Sequence, residues 1–233
     1  MVEDLKEQVC RANLDLVRHG LVILTWGNAS AIDREKGLVV IKPSGVDYAT
    51  MKPSDMVVVD LAGVIVEGRL RSSSDLPTHL KLYAAFPGVG GVVHTHSTYA
   101  TAWAQACRCI PNIGTTHADH FHLDVPVTGE ILPERIESDY ESATGDVIVS
   151  TFHEQEIDPM ANAAVLVAHH GPFTWGKSVA QAVENAVVLE EVAKMASVAF
   201  SVNPSPKMNP ALVEKHYSRK HGPKAYYGQE VKK

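Results

Sequence analysis

Between residues 28 and 68 the chain alternates short β-type runs with turns that leave room only for antiparallel neighbours. NASAID and LVVIKPSG are separated by Glu35-Lys36-Gly37, and MVVVD and VIVEG by Leu61-Ala62-Gly63. Turns this short predict hairpins, because parallel strands need a crossover of about a dozen residues or more. LVILTWGN, just before them, reads as a further β-like run. The pattern argues against a Rossmann-type alternation of strands and crossover helices.

Helical signals flank these runs. Leu5, Val9, Ala12, Leu14, Leu16 and Val17 among charges predict an amphipathic helix over 3–19, closed by Gly20. Pro77 opens a helix, PTHLKLYAAF, that ends before Pro87. A long helix over 178–200 carries Ala182, Val183, Ala186, Val187, Leu189, Val192, Ala193 and Ala196 on its buried stripe, and prolines within 201–210 break it. Residues 110–160 read as loop-rich, with DVIVSTFHE assigned to neither helix nor strand. The closing segment from Ala211 reads as a basic helix with a polar tail. No repeat, low-complexity tract or linker interrupts the chain, so residues 1–233 read as one domain of mixed α and antiparallel β.

Composition narrows the function classes. At 233 residues the chain suits one core, which extends to about 250 residues. A net charge of −6 argues against a general nucleic-acid grip, which needs a basic excess or stripe. It leaves room for an anionic small substrate in a locally positive pocket. The charged N-terminus is no signal peptide, and no apolar run is long enough to span a membrane. Cys10, Cys107 and Cys109 are too few for a disulfide framework, so free thiols and a cytoplasmic location are expected.

Chemistry concentrates at two apolar runs that end in histidine. GGVVHTH, residues 90–96, places His94 and His96 two apart on one strand face, which suits two imidazoles on one metal ion. AAVLVAHHG, residues 163–171, repeats the form: His170 offers a third imidazole, with His169 toward the opposite face. Three histidines with one position open describe a catalytic rather than a structural zinc site. Twelve histidines make chance pairs common, and His117, His120, His122 and His153 have no evident role.

Three turns are built for an anion. Trp26-Gly27-Asn28, Lys42-Pro43-Ser44-Gly45 and Ser72-Ser73-Ser74-Asp75 combine small residues with hydroxyl, amide or ammonium donors. Backbone N–H groups and Ser hydroxyls bind phosphate, and Lys42 adds charge. Singly each is more often only a turn; together, beside a metal candidate, they favour phosphate.

TWGNASAIDREKGLVVIKPSGVDY, SSSDLPTH, GGVVHTHSTYATAWAQA, IGTTHAD, HHGPFTWGK and KHGPKAYYGQ together resemble the L-ribulose-5-phosphate 4-epimerases of the class II, metal-dependent aldolase superfamily. The resemblance runs from residue 3 to about 229. It implies an α/β/α fold around a mainly antiparallel sheet, assembled as a homotetramer with active sites between subunits. It implies that His94, His96 and His170 bind Zn²⁺, with Asp75 beside the metal as a candidate fourth ligand. Three imidazoles also suit Mn²⁺, Co²⁺ or Fe²⁺. Gly27, Asn28, Ser44, Gly45, Ser73 and Ser74 match positions that hold the substrate phosphate. Asp119 matches one acid/base residue, and Tyr227 the other, delivered from a neighbouring subunit by a tail over 216–233. His216 and Thr116 match assisting positions. Without the resemblance, Asp119 reads as a loop or cap residue and Tyr227 as part of a loose chain end.

The implied reaction interconverts L-ribulose 5-phosphate and D-xylulose 5-phosphate, a step used in arabinose and ascorbate catabolism. Breaking and remaking C3–C4 inverts C4, which bears no acidic hydrogen. The chain departs from the family pattern at His120, where an aromatic residue, usually Tyr, is common. Val127-Thr128-Gly129 stands where Cys-Thr-Arg is usual. An aldolase of the L-fuculose 1-phosphate type is the nearest rival, but those tend to carry Glu at the place of Asp75 and lack the KHGPKAYYGQ ending. A non-catalytic sugar- or metal-binding module predicts loss of Asp119 and Tyr227, which are both present. A zinc hydrolase lacks its glutamate base here.

Overall fold

The computed structural model describes residues 2–221 and 225–226. In chain order its elements are α1 (Val2–Arg18), β1 (Asn28–Asp33), β2 (Leu38–Ile41), β3 (Val57–Asp60), β4 (Ile65–Glu67), α2 (Leu76–Ala85) and β5 (Gly91–His94). They continue with α3 (Thr98–Gln105), α4 (Thr115–Ala118), α5 (Pro133–Glu154), β6 (Ala164–Val167), β7 (Gly171–Gly176), α6 (Val179–Val202) and α7 (Pro210–His221). Seven strands form one sheet in the order β4-β3-β2-β1-β5-β7-β6, and every neighbouring pair runs antiparallel.

Strand alternation turns this sheet into the middle of three layers. Val39, Ile41, Val57, Val59 and Val92 pack toward Leu82, Tyr83 and Phe86 of α2 and Ile148 and Phe152 of α5. Their neighbours Val40, Val58 and Val93, with Ala29 and Ala31, pack toward Val9, Ala12 and Leu16 of α1 and Ala182, Val183 and Ala186 of α6. A third cluster joins α3 and the far half of α6 to β6 through Ala100, Ala104, Leu166, Leu189 and Val192. Both faces are thereby covered, the α/β/α arrangement that the resemblance implies. Among the described residues no helix is long and apolar enough to cross a membrane.

The structure corrects two expectations and adds a strand. Residues 21–27 are not a strand; Leu24 (φ +57) and Gly27 (φ +73) take left-handed backbone, and the ladder starts only at Asn28. The segment thought loop-rich contains the 22-residue α5. Its β-branched Val147, Ile148 and Val149 imitate a strand, while its buried face is largely small or polar: Ala143, Thr144, Gly145 and Thr151 beside Ile148 and Phe152. GPFTWG forms β7, an interior strand hidden in the sequence by its opening Gly-Pro. Proline is tolerated there because it sits at the strand's beginning.

Helices α2 and α5 approach closely at Gly145, where an added Cβ would lie 2.6 Å from Lys81 Cβ and 3.4 Å from Thr78 Cα. Gly145→Ala gains about 1 kcal/mol of helix propensity but overpacks the contact by roughly 1–3 kcal/mol. At so short a distance overpacking wins, so the variant loses up to about 2 kcal/mol in denaturant unfolding. An equal or raised midpoint would refute this packing.

Candidate metal centre and anion cradle

One register row of the sheet builds the site. Across β1 and β5, Asn28 stands opposite His94; across β5 and β7, His94 stands opposite Phe173. His170, in the turn before β7, therefore returns to the end of β5 where His96 follows the strand. Ring centroids of His94, His96 and His170 lie 4.7–5.0 Å apart. One nitrogen from each falls within 4.8 Å of the others, the sole such group of three or more candidate ligands among the described residues.

Hydrogen bonds prepare these rings for a metal. His94 Nδ1 lies 3.0 Å from the Pro172 carbonyl, which only accepts, so Nδ1 carries the hydrogen and Nε2 keeps its lone pair. The Nε2 atoms of His94 and His96 are 3.1 Å apart, near the ~3.3 Å edge of a tetrahedron with ordinary zinc–nitrogen bonds. Burial pushes His170 down to about 3, with the adjacent His94 and His96 adding to the effect. Burial and then His94 also lower His96. Neutral imidazoles are the ligand form, so the donor set fits a divalent cation.

Asp75 lines the same cavity of about 440 Å³, with Trp26, Gly27, Ser74, Tyr140 and Glu141. Burial works to raise its pKa, but His94, His79 and an Asn28 hydrogen bond outweigh this and hold it below the usual carboxylate range. Asn28 Nδ2 donates to Asp75 Oδ2 at 2.6 Å. Asp75 thus sits beside the imidazoles as an anion, outside the three-residue group.

Two of the three anion turns line this cavity, through Trp26 and Gly27 and through Ser74 and Asp75. Gly27 cannot carry a side chain: besides its positive φ, a Cβ would meet His94 O at 2.9 Å and Val22 Cγ1 at 2.8 Å. The turn at Lys42–Gly45 is tied to the Ser72–Asp75 loop by a Pro43–Ser72 bridge and by Ser73 N donating to Lys42 O. Tyr48 donates to the carbonyls of Trp26 and Gly27 at 2.9 Å each while its ring lies 4.7 Å from Lys42 Nζ. Lys42 is 2% exposed, and burial lowers its pKa. Its ammonium meets only the carbonyls of Thr25 and Pro43, at 3.4 and 3.3 Å, and makes no ion pair among the described residues. Burying a cation without an anionic partner is costly.

Asp119 and its associates lie elsewhere. Asp119 accepts from Arg219 Nη2 at 2.6 Å and Arg219 Nε at 2.9 Å, and pairs with His216 Nδ1 at 3.0 Å, all on α7. Burial acts to raise its pKa, but Arg219 and His216 prevail and keep it ionised. It lines a cavity with His120, Tyr217, Lys220 and His221 that contains none of the three imidazoles. Thr116 is exposed beside yet another hollow, with Gly114 and His117. Tyr227 lies outside the described residues. Val127 and Thr128 run beside β6, and Thr128 Oγ1 accepts from Ala168 N, two residues before His170. His169 is exposed (φ +61), with Cys107 and Glu130 against its ring. All three cysteines are free.

Sequence reading missed Tyr48, His79, Tyr140 and Glu141. Tyr140 is the one aromatic residue in the polar first half of α5, the only sequence signal it gave. His79 stands one helical turn after Asp75, a spacing that could have exposed it.

Residues 7–197 match the model of the class II aldolase and adducin N-terminal domain. The chain is 57% identical to the L-ribulose-5-phosphate 4-epimerase UlaF of Salmonella paratyphi B, over 98% of this chain and all of the relative. The same protein from Salmonella typhi matches at the same identity and coverage. The chain belongs to the class II aldolases, in the L-ribulose-5-phosphate 4-epimerase family. An L-fuculose 1-phosphate aldolase structure matches with a TM-score of 0.78 and 27% identity, over 93% of this chain and 95% of that one. The class II aldolase fold therefore extends beyond the epimerases, and activity within it rests on the site.

One outcome tests the clustered imidazoles, and a second tests buried imidazoles outside the cluster. His96→Asn should leave little zinc bound after gel filtration, read by atomic absorption; undiminished zinc would exclude the cluster as the metal site. Burial also lowers His79 to about 3 and His117 to about 4, from 6.5. In the window between 6.5 and these values the unfolded chain binds more protons than the folded one, so stability falls as pH falls. The metal-free protein should melt lower at about pH 5 than at about pH 7.5; equal melting temperatures would mean these rings are not held neutral.

Proposed function

We propose that this enzyme interconverts L-ribulose 5-phosphate and D-xylulose 5-phosphate, using Zn²⁺ held by His94, His96 and His170 with Asp75 as an added ligand. The observation that carries the reading is a cluster of three imidazoles in a cavity that Gly27, Ser74 and Asp75 also line, with the buried Lys42 in a turn tied to the Ser72–Asp75 loop. The 57% identity to UlaF epimerases supports the substrate.

When bound, the cation supplies Lewis-acid polarisation of adjacent ketose oxygens and stabilises charge left as C3–C4 breaks. Everything else falls to the chain. Lys42, Ser44, Gly45, Ser73 and Ser74, with Gly27 and Asn28, grip the phosphate and keep the two-carbon aldehyde tethered while it turns. Asp119, as a carboxylate, exchanges the C4 hydroxyl proton on one face, and Tyr227 serves the opposite face. Asp119 is bonded to His216 and Arg219 of α7 and lines a cavity apart from its own imidazoles. This supports a homotetramer in which Asp119 and the tail over 216–233, with Tyr227, complete a neighbouring subunit's site. Thr116 and His216 assist there. The protein works in the cytoplasm, in arabinose or ascorbate catabolism.

A sugar-phosphate aldolase is the second reading, favoured by the 0.78 TM-score to the fuculose enzyme. A coupled assay for D-xylulose 5-phosphate, with free glycolaldehyde phosphate followed in parallel, separates the two. Epimer without accumulating aldehyde is expected; steady aldehyde release without epimer overturns the proposal. Asp119→Asn should lower kcat by about 10²–10⁴-fold while zinc stays bound, and Tyr227→Phe should slow the reaction likewise. Full activity in either variant removes that residue from the acid/base role.

A further inference from the structure

Helix α5 is not continuous. Asp139 leaves helical geometry (φ −162, ψ +58), so a fresh helical turn starts at Tyr140 and faces the metal cavity. The break is stapled from both sides. Asp146, after it, bonds to Arg135, before it, at 3.0 Å and to Lys81 of α2 at 2.7 Å. Thr78 of α2 donates to the carbonyl of Glu141 at 2.6 Å, and Gly145 lets the two helices close. These contacts hold the Tyr140 hydroxyl 3.1 Å from His170 Nδ1.

The direction of that hydrogen bond decides its consequence. If the phenol donated, Nδ1 would be the acceptor and Nε2 would carry the hydrogen, closing His170 to a metal at Nε2. If Nδ1–H donates to the phenol oxygen, the Nε2 lone pair is free toward His94 and His96. The Pro172 carbonyl fixes this second arrangement for His94. We propose that Tyr140 is a positioning residue for the metal: its hydroxyl accepts from His170 Nδ1 and fixes the ring's orientation and tautomer, as Pro172 does for His94. Neither partner is a metal ligand, and both belong to elements other than the strand that carries His94.

The inference rests on the proposed metal role of the three histidines, and the test separates the two. Zinc affinity of the full-length metal-free protein is measured by chelator competition in wild type, His96→Asn and Tyr140→Phe, with the absorption spectrum of each Co²⁺-loaded form. Removing the partner of a metal-bound imidazole typically costs about 10- to 100-fold in affinity. Tyr140→Phe should weaken zinc by that factor and shift the cobalt d–d bands, with the metal-free melting temperature unchanged. A merely structural tyrosine would instead lower the metal-free melting temperature and leave zinc affinity and the cobalt bands unchanged. Wild-type zinc affinity in Tyr140→Phe, with His96→Asn unable to bind, overturns this inference alone. Zinc binding that survives His96→Asn overturns the reading beneath it.

Should Tyr140→Phe not fold, Arg135→Gln relaxes the staple from the solvent side. It should weaken zinc by a smaller factor of the same sign, and an unchanged affinity there also counts against the proposal.

Discussion

The site depends on one row of backbone pairing. Asn28, His94 and Phe173 stand side by side across three antiparallel strands, and that row brings the His94 ring beside His170. A shift of one residue would turn His94 to the other sheet face and bury it against α1 and α6. Register is protected because both faces of β5 are committed: Val92 belongs to the core under α2 and α5, and Val93 to the core under α1 and α6. The sheet is therefore packed on two sides in order to fix one edge of it.

Opposite electrostatic strategies meet on that edge. Burial lowers the pKa values of His96 and His170, which suits those rings to receive a cation. Lys42 is buried, and its ammonium is attended by carbonyls and the Tyr48 ring. Holding an unpaired cation there costs stability that a phosphate would recover on arrival. Asp75 stands beside the imidazoles, and Asn28 holds its carboxylate in place. A substrate bearing a phosphate at one end and adjacent oxygens at the other matches this polarity along its length.

The legible parts of the sequence were those whose spacing has a single physical meaning. Hairpin turns at 35–37 and 61–63, the His-x-His strand end and the long stripe of α6 all reappear in the structure. The phosphate turns were visible as composition, but their convergence depends on pairings such as Pro43 with Ser72 that no local pattern encodes. α5 was illegible for a related reason. Its core face is built of Ala143, Thr144 and Gly145, chosen for closeness to α2 and not for hydrophobicity, so periodicity carried no signal. Leu24 and Trp26 misled in the opposite sense: apolar residues in a stretch that turns, with their side chains exposed.

Sharing a fold with a fuculose phosphate aldolase limits what the scaffold itself can specify. The proposed epimerisation, like an aldol cleavage, breaks a carbon–carbon bond, so the difference would lie in the fate of the aldehyde. An enzyme that must reattack its own fragment needs that fragment anchored away from the metal and free to rotate near it. Here the anchor is rigid: Tyr48 locks the 26–27 turn to Lys42, and the Pro43–Ser72 bridge locks the other two turns together. The proposed proton transfer, by contrast, falls partly to Asp119, which is bonded to His216 and Arg219 of α7. In the proposed assembly the frame holds both fragments still in register, and the neighbouring subunit supplies the groups that must serve either face of the aldehyde.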